Sequence, residues 1–273
     1  MKKRRIGFTL VEVALFLAIS GLLLVGIIVG TQSSINAQRF RDSVQNYVEF
    51  LRSVYSEVEN PQHTGDGRSD KALYGRLITF GQEVALNGGD IPKDEQRIYV
   101  YDVIGDSNSI GSGNVTAALF SARANVVEKK TKDGNTIVDY VGNVKEYIPT
   151  WGAAINTVEN GTLYKGSVLI VRHPRSGTIS TLVSPTIIDV NKKVKEINNN
   201  KNFSEIDQIL KKEILDTFVS KEAIFCINPN GINMNGIGIE ADIRREVKII
   251  KNARNASGVE LFDQDYDNDC SKK

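Results

Sequence analysis

The chain has 273 residues, 34 Lys+Arg against 33 Asp+Glu for a formal net charge of +1, and 41% hydrophobic residues. That balance excludes a generally basic nucleic-acid binder and an acidic disordered tail, while six Pro and 23 Gly exclude collagen-like and proline-rich chains. Two Cys and two His leave little material for a zinc cluster or a disulfide-dense scaffold.

In chain order, the basic cluster Lys2, Lys3, Arg4 and Arg5 comes first, followed by an apolar run from Phe8 to Gly30 whose single charge is Glu12. As a helix that run would be about 35 Å long, enough to cross a hydrocarbon core of roughly 30 Å with modest tilt. It must be helical, because nothing inside a bilayer satisfies free backbone groups. Four basic residues before the run, with no comparable density just after it, predict an N-terminus in the cytoplasm and the remainder outside. A simple secretory signal fits poorly. The apolar run is long, and Ala18-Ile19-Ser20 and Ser20-Gly21-Leu22 are poor cleavage patterns within it.

Glu12 needs compensation in such a span. A carboxylate costs on the order of 2.5–3.5 kcal/mol at a bilayer centre and less near the interface. The helix dipole favours negative charge in the first turns. A cut after Gly7 would also create an α-amine at Phe8, four residues before Glu12.

Lys2-Lys3-Arg4-Arg5-Ile6-Gly7 followed by Phe8-Thr9-Leu10-Val11-Glu12-Val13 resembles the processing motif of type IV prepilins and type II secretion pseudopilins. The resemblance covers about 25 residues and implies a role for each part of the motif. Gly7 would be the last leader residue and Phe8 the cleaved, N-methylated first mature residue. Glu12 would pair with the Phe8 amine of an adjacent subunit during filament assembly. The implied partners are other pilin subunits, a prepilin peptidase, a pilus assembly platform and the membrane. One departure from the common pattern is Val29, which stands where many pilins have proline. Gly26 and Gly30 form a Gly-xxx-Gly pair, a spacing that lets membrane helices approach closely.

Past the span, Ile35, Phe40, Val44, Tyr47, Val48, Leu51, Val54, Tyr55 and Val58 recur mostly in steps of three and four, which predicts one continuous apolar face. No Gly or Pro interrupts until Pro61, so one helix from Phe8 to about Glu59 is expected, near 78 Å long. Its outer half would pack on a globular domain. A protruding helix of this kind, with its distal half as the spine of a head, is also the family's layout. The expected organisation is therefore a leader at 1–7, a transmembrane or filament-core helix at 8–30, its amphipathic continuation at 31–59, and a globular head at 60–273.

The head reads as α+β and mainly antiparallel. Leu73–Phe80 and Arg97–Ile104 are strand-like, and Asp133-Gly134 predicts a hairpin between Asn125–Lys130 and Thr136–Val141. Leu163–Arg172 and Thr178–Val183, joined through His173 to Gly177, make the clearest hairpin. The polar stretch from Asn191 to Asn202 reads as a solvated loop. Ser204 then opens an expected helix to about Phe218, and Ala223–Ile227 reads as a strand. Ile239–Ile250 fits both periods, and a strand is favoured because the family closes its head with antiparallel strands.

Cys226 and Cys270 are the only cysteines, and outside the cytoplasm an even count favours pairing. A bridge would also resemble the C-terminal disulfide loop common in pilins. Asp263, Asp265, Asp267 and Asp269 alternate before Cys270, as in the first half of a calcium loop, although the Gly and distal Glu of an EF-hand are missing. Calcium is thus the candidate cofactor there, against a plain solvated acidic tail. Arg244, Arg245, Lys248, Lys251 and Arg254 are the densest basic stretch of the head. Asp242 and Glu246 interrupt it and no aromatic interleaves it, so a solvated face is expected rather than a nucleic-acid patch. His63 and His173 stand beside no nucleophile motif, Gly105–Gly113 lacks a phosphate-loop Lys, and Trp151 is expected in the core.

No enzyme is expected. The reading is a structural subunit, a minor or large type IV pilin whose head exceeds that of a typical major pilin. It would be held first as a single-pass protein of the cytoplasmic membrane and then at the cell surface in a filament. The alternatives are a type II secretion pseudopilin and a membrane-anchored adhesin or DNA-uptake module. Removal of residues 1–7 would take four basic residues and no acidic one, turning the formal charge from +1 to −3.

Overall fold

The computed structural model describes residues 9–60, 71–92, 95–106, 123–140, 144–157, 162–173, 176–208, 217–229, 244–262 and 270. A single helix, α1, runs Leu10–Glu59 without a break. Its outer half buries Phe40, Val44, Tyr47, Val48, Leu51, Val54, Tyr55 and Val58, the face that the three-and-four spacing marks; Ile35 alone of that stripe stays exposed.

The head follows as β1 (Lys71–Phe80), β2 (Ile98–Asp106), β3 (Arg123–Ala124), β4 (Val126–Lys130), β5 (Thr136–Tyr140), β6 (Lys145–Tyr147), β7 (Ala154–Asn156), β8 (Gly166–Arg172) and β9 (Ile179–Ser184). Helix α2 (Val190–Asn200) and the strands β10 (Ala223–Asn228), β11 (Arg245–Ile249) and β12 (Val259–Phe262) complete it. The strands form one sheet in the order β3-β2-β1-β8-β9 with β6 also on β2, a second sheet β12-β11-β10-β7, and the hairpin β4-β5. All of these pairings are antiparallel. The protein is an α+β molecule with an apolar N-terminal helix and antiparallel sheets.

The large sheet is covered on both faces, which explains why its strands read as nearly unbroken apolar runs. Ile78, Phe80, Ile98, Val100, Val168 and Ile170 join α1 and the small sheet in one core. Their neighbours Leu77, Tyr99, Tyr101, Leu169 and Val171 face a second core with β4-β5 and α2. Successive residues of a strand point to opposite faces, so two cores require apolar residues at every position. At the centre of this sheet a Cβ on Gly75 would stand 1.9 Å from the Ile170 carbonyl oxygen, beside a register shift between Leu73 and Gly75. Only glycine fits that approach.

Three expectations need correction. The polar stretch from Asn191 to Asn202 is not a solvated loop: most of it is α2, capped by Asp189 and burying Val190, Asn191, Val194 and Ile197. The helix expected from Ser204 begins as 3-10 turns over Phe203–Gln208, and Ser204 donates to Asn202 Oδ1 (2.7 Å) instead of capping a helix. Residues 209–216 of that expectation lie outside the described residues. Trp151 is not in the core but half exposed, in a turn where its backbone is left-handed.

Candidate functional site

The first turn of α1 explains how Glu12 is accommodated. Thr9 is the N-cap, and its hydroxyl accepts from the Glu12 amide (3.3 Å). The Glu12 carboxylate accepts in return from the Thr9 amide and hydroxyl, both at 2.9 Å. This reciprocal capping box satisfies donors that the start of a helix leaves free and neutralises part of the helix dipole. Its signal was present in the sequence as Thr9-x-x-Glu12, a pattern whose Thr the resemblance did not use. Gly7 and Phe8 lie outside the described residues, as does any pairing of Glu12 with a Phe8 amine.

From Leu10 to Ile28 the helix is long and apolar enough to cross a membrane, and none of that length is buried by the other described residues. The outer half is fixed to the head at several heights. Near its base Ser43 Oγ donates to the Thr150 carbonyl (3.0 Å). Higher up, Arg52 donates to the Val259 carbonyl at 3.0 Å, closing part of the β12 edge. The buried Tyr55 hydroxyl lies 2.7 Å from Thr181 Oγ1, which donates to the Ala253 carbonyl at 2.9 Å. At the top, Glu57 pairs with Arg76 (3.2 Å) and Lys145, and Arg76 also pairs with the buried Asp102. Helix and head are therefore one packed unit.

Cys226 and Cys270 are joined, with Cα atoms 5.6 Å apart, so the end of the chain is tied to β10. Asp263, Asp265, Asp267 and Asp269 lie outside the described residues. Among the described residues no group of three or more His, Cys, Asp or Glu is placed to hold a metal. Asn156 and Glu246 both pair in register with Cys226, one on each neighbouring strand. Lys248 of the basic stretch pairs with Glu222 (2.9 Å). His173 is buried in its hairpin turn, where Nδ1 accepts from the Ser176 amide (3.2 Å).

A cleft of about 1190 Å³ lies between α2 and the Gly81–Val84 and Asp90–Pro92 segments. It is crossed by Lys192–Glu83 (3.2 Å) and Lys195–Asp90 (3.0 Å). Its floor is held by the buried Gln82 and Gln96, each committed to neighbours: Gln82 accepts from Tyr101, and Gln96 brackets the backbone of Ile155. Burial raises the pKa of Asp189 at the head of α2, opposed by hydrogen bonds from the Lys192 and Glu83 amides. These groups hold α2 against the sheet, and none forms a nucleophile–base pair.

No family model, no curated protein and no solved structure matches the chain.

Proposed function

We propose that the chain is a type IV pilin-like subunit, a minor or large pilin. It is inserted with its N-terminus in the cytoplasm, cut after Gly7 and assembled into an extracellular helical filament. One observation carries the reading: the first 19 residues of α1 form an apolar stretch that none of the described residues covers, while the second half is the spine of the head. An apolar surface of that size requires a cover. A bilayer supplies it before assembly, and the same segment of other copies supplies it afterwards. The basic leader, Gly7, Phe8 and Glu12 support cleavage and give assembly its order.

Mass spectrometry of the mature protein is expected to find an N-methylated Phe8, and an intact Met1 end would sink the pilin reading. Electron microscopy of cells with and without the chain decides between a pilus subunit, which adds or alters surface filaments, and an anchored adhesin or DNA-uptake module, which leaves none. A Glu12→Ala chain that still enters filaments at the normal level would remove the proposed charge pairing.

A further inference from the structure

The tripeptide Asn-x-Ser/Thr, with x other than Pro, occurs four times, beginning at Asn114, Asn160, Asn202 and Asn255. On an exported protein it is the acceptor pattern for an N-linked glycan. Asn114 and Asn160 lie outside the described residues, whereas Asn202 and Asn255 are described and exposed. In both of these the serine two residues on donates its hydroxyl to the asparagine Oδ1. The distances are 2.7 Å from Ser204 and 2.6 Å from Ser257.

Asn255 has the more complete arrangement. It stands in the turn between β11 and β12, followed by Ala256, Ser257 and Gly258. The Ile250 amide donates to the Gly258 carbonyl (3.0 Å) and the Gly258 amide to the Asn255 carbonyl (3.1 Å), which closes the turn. With the backbone of Asn255 extended (φ −157°, ψ 179°), Oδ1 also accepts from the Ser257 amide at 3.1 Å. Two donors thus converge on one amide oxygen, while Nδ2 makes no hydrogen bond among the described residues. An asparagine kept only to cap the turn needs the backbone donor alone, and aspartate would serve equally. The hydroxyl donor and the open Nδ2 go beyond what a cap requires.

We propose that Asn255 is a glycosylation site, whose Nδ2 takes a saccharide from a lipid-pyrophosphate-linked donor outside the cytoplasm. A carboxamide nitrogen is a poor nucleophile because its lone pair is shared with the carbonyl. The donors on Oδ1 stabilise the negative charge that gathers there as an Nδ2 proton leaves, as fixed donors do for any developing anion. That proton goes to a base of the transferring enzyme. Nδ2 bonds to C1 of the sugar, the C1–O bond breaks, and its electron pair leaves with the lipid pyrophosphate. Asn255 carries the reacting atom, and Ser257 is a positioning residue. The site needs the exported head of the reading above but not filament assembly.

The full chain is purified from its own cells and digested, and the peptide carrying Asn255 is read by mass spectrometry with electron-transfer fragmentation. A saccharide mass on Asn255 is expected. Ser257→Ala is expected to abolish it, and Ser257→Thr, which restores the hydroxyl, to retain it. All three chains should keep the Cys226–Cys270 bridge, which reports that the head has folded. An unmodified Asn255 in a chain that begins at Phe8 overturns the inference and leaves the pilin reading standing. A modified Asn255 in a chain that still begins at Met1 supports the inference and overturns the pilin reading. An unmodified chain that begins at Met1 overturns both. A saccharide on Ser257 itself would also overturn the assignment, and one that persists on Asn255 in Ser257→Ala would remove the role of Ser257.

Discussion

Asn198 shows how much a single side chain decides in this head. Its Oδ1 accepts from the Val138 amide at 2.6 Å, and its Nδ2 donates to the Val138 carbonyl at 3.1 Å. The amide thus acts as one more strand residue on the outer edge of β5, an edge that would otherwise offer free backbone groups to another chain. Asn191 plays a related part, accepting from Tyr101 Oη at 2.7 Å and donating to the Val84 carbonyl at 2.9 Å. Asn198→Ala should cost about 1–3 kcal/mol by leaving a partly buried amide and carbonyl unpaired. The check is the melting temperature together with hydrogen exchange at Val138, and an unaltered Val138 exchange rate would contradict it. None of this was legible beforehand. In sequence these asparagines belong to a polar run, because Asn competes with the helix backbone for hydrogen bonds and favours turns. Trp151 is the converse case: its size suggested the core, and the fold leaves it half exposed beside Arg39.

At the scale of elements, legibility followed the number of apolar residues on a face. The outer half of α1 presents eight buried apolar side chains in register, so both its helicity and its buried face could be read directly. Leu51 is fully buried in the middle of that face. Leu51→Ala should destabilise the protein by about 2–5 kcal/mol, the usual range for a leucine cavity. Chemical denaturation measures it, and a loss below 1 kcal/mol would mean that α1 is not the spine of the core. Helix α2 has only Val190, Val194 and Ile197 as apolar anchors among Asn and Lys, too few for a period to emerge. Its buried face joins the second core, which stabilises it. The hairpins β4-β5 and β8-β9 were legible because each carries a turn signal between strand-like runs. The short strands β3, β6 and β7 were not, since two or three residues carry no period.

At the scale of the molecule, the two cores set the alkaline limit of stability. Burial pushes Tyr55, Tyr99, Tyr147 and Tyr164 up to about 12, and raises Tyr47, Tyr101 and Tyr140 as well. In the unfolded chain tyrosine ionises near pH 10. Between about pH 10 and 12 the unfolded chain therefore releases protons that the folded chain keeps, so the stability present below pH 10 falls as pH rises. Tyrosinate absorbance and circular dichroism followed together should show late, steep ionisation coincident with unfolding. Independent ionisation near pH 10 in a chain that stays folded would contradict the burial of these rings.

What the sequence determined by itself was the apolar segment, the length of α1, its buried face, the main hairpins and the availability of two cysteines for one bridge. Each rests on residues close together in the chain, where periodicity, turn chemistry or a count is enough. The tertiary structure alone decided that Asn191 to Asn200 is helix, that the large sheet is covered on both faces, and that Trp151 faces out against Arg39. Helix α2, the double cover and the Trp151 contact depend on partners tens of residues away, and only packing brings them together. The Thr9–Glu12 pair is local, yet its pattern carries meaning only once the first turn of a helix is known to begin there.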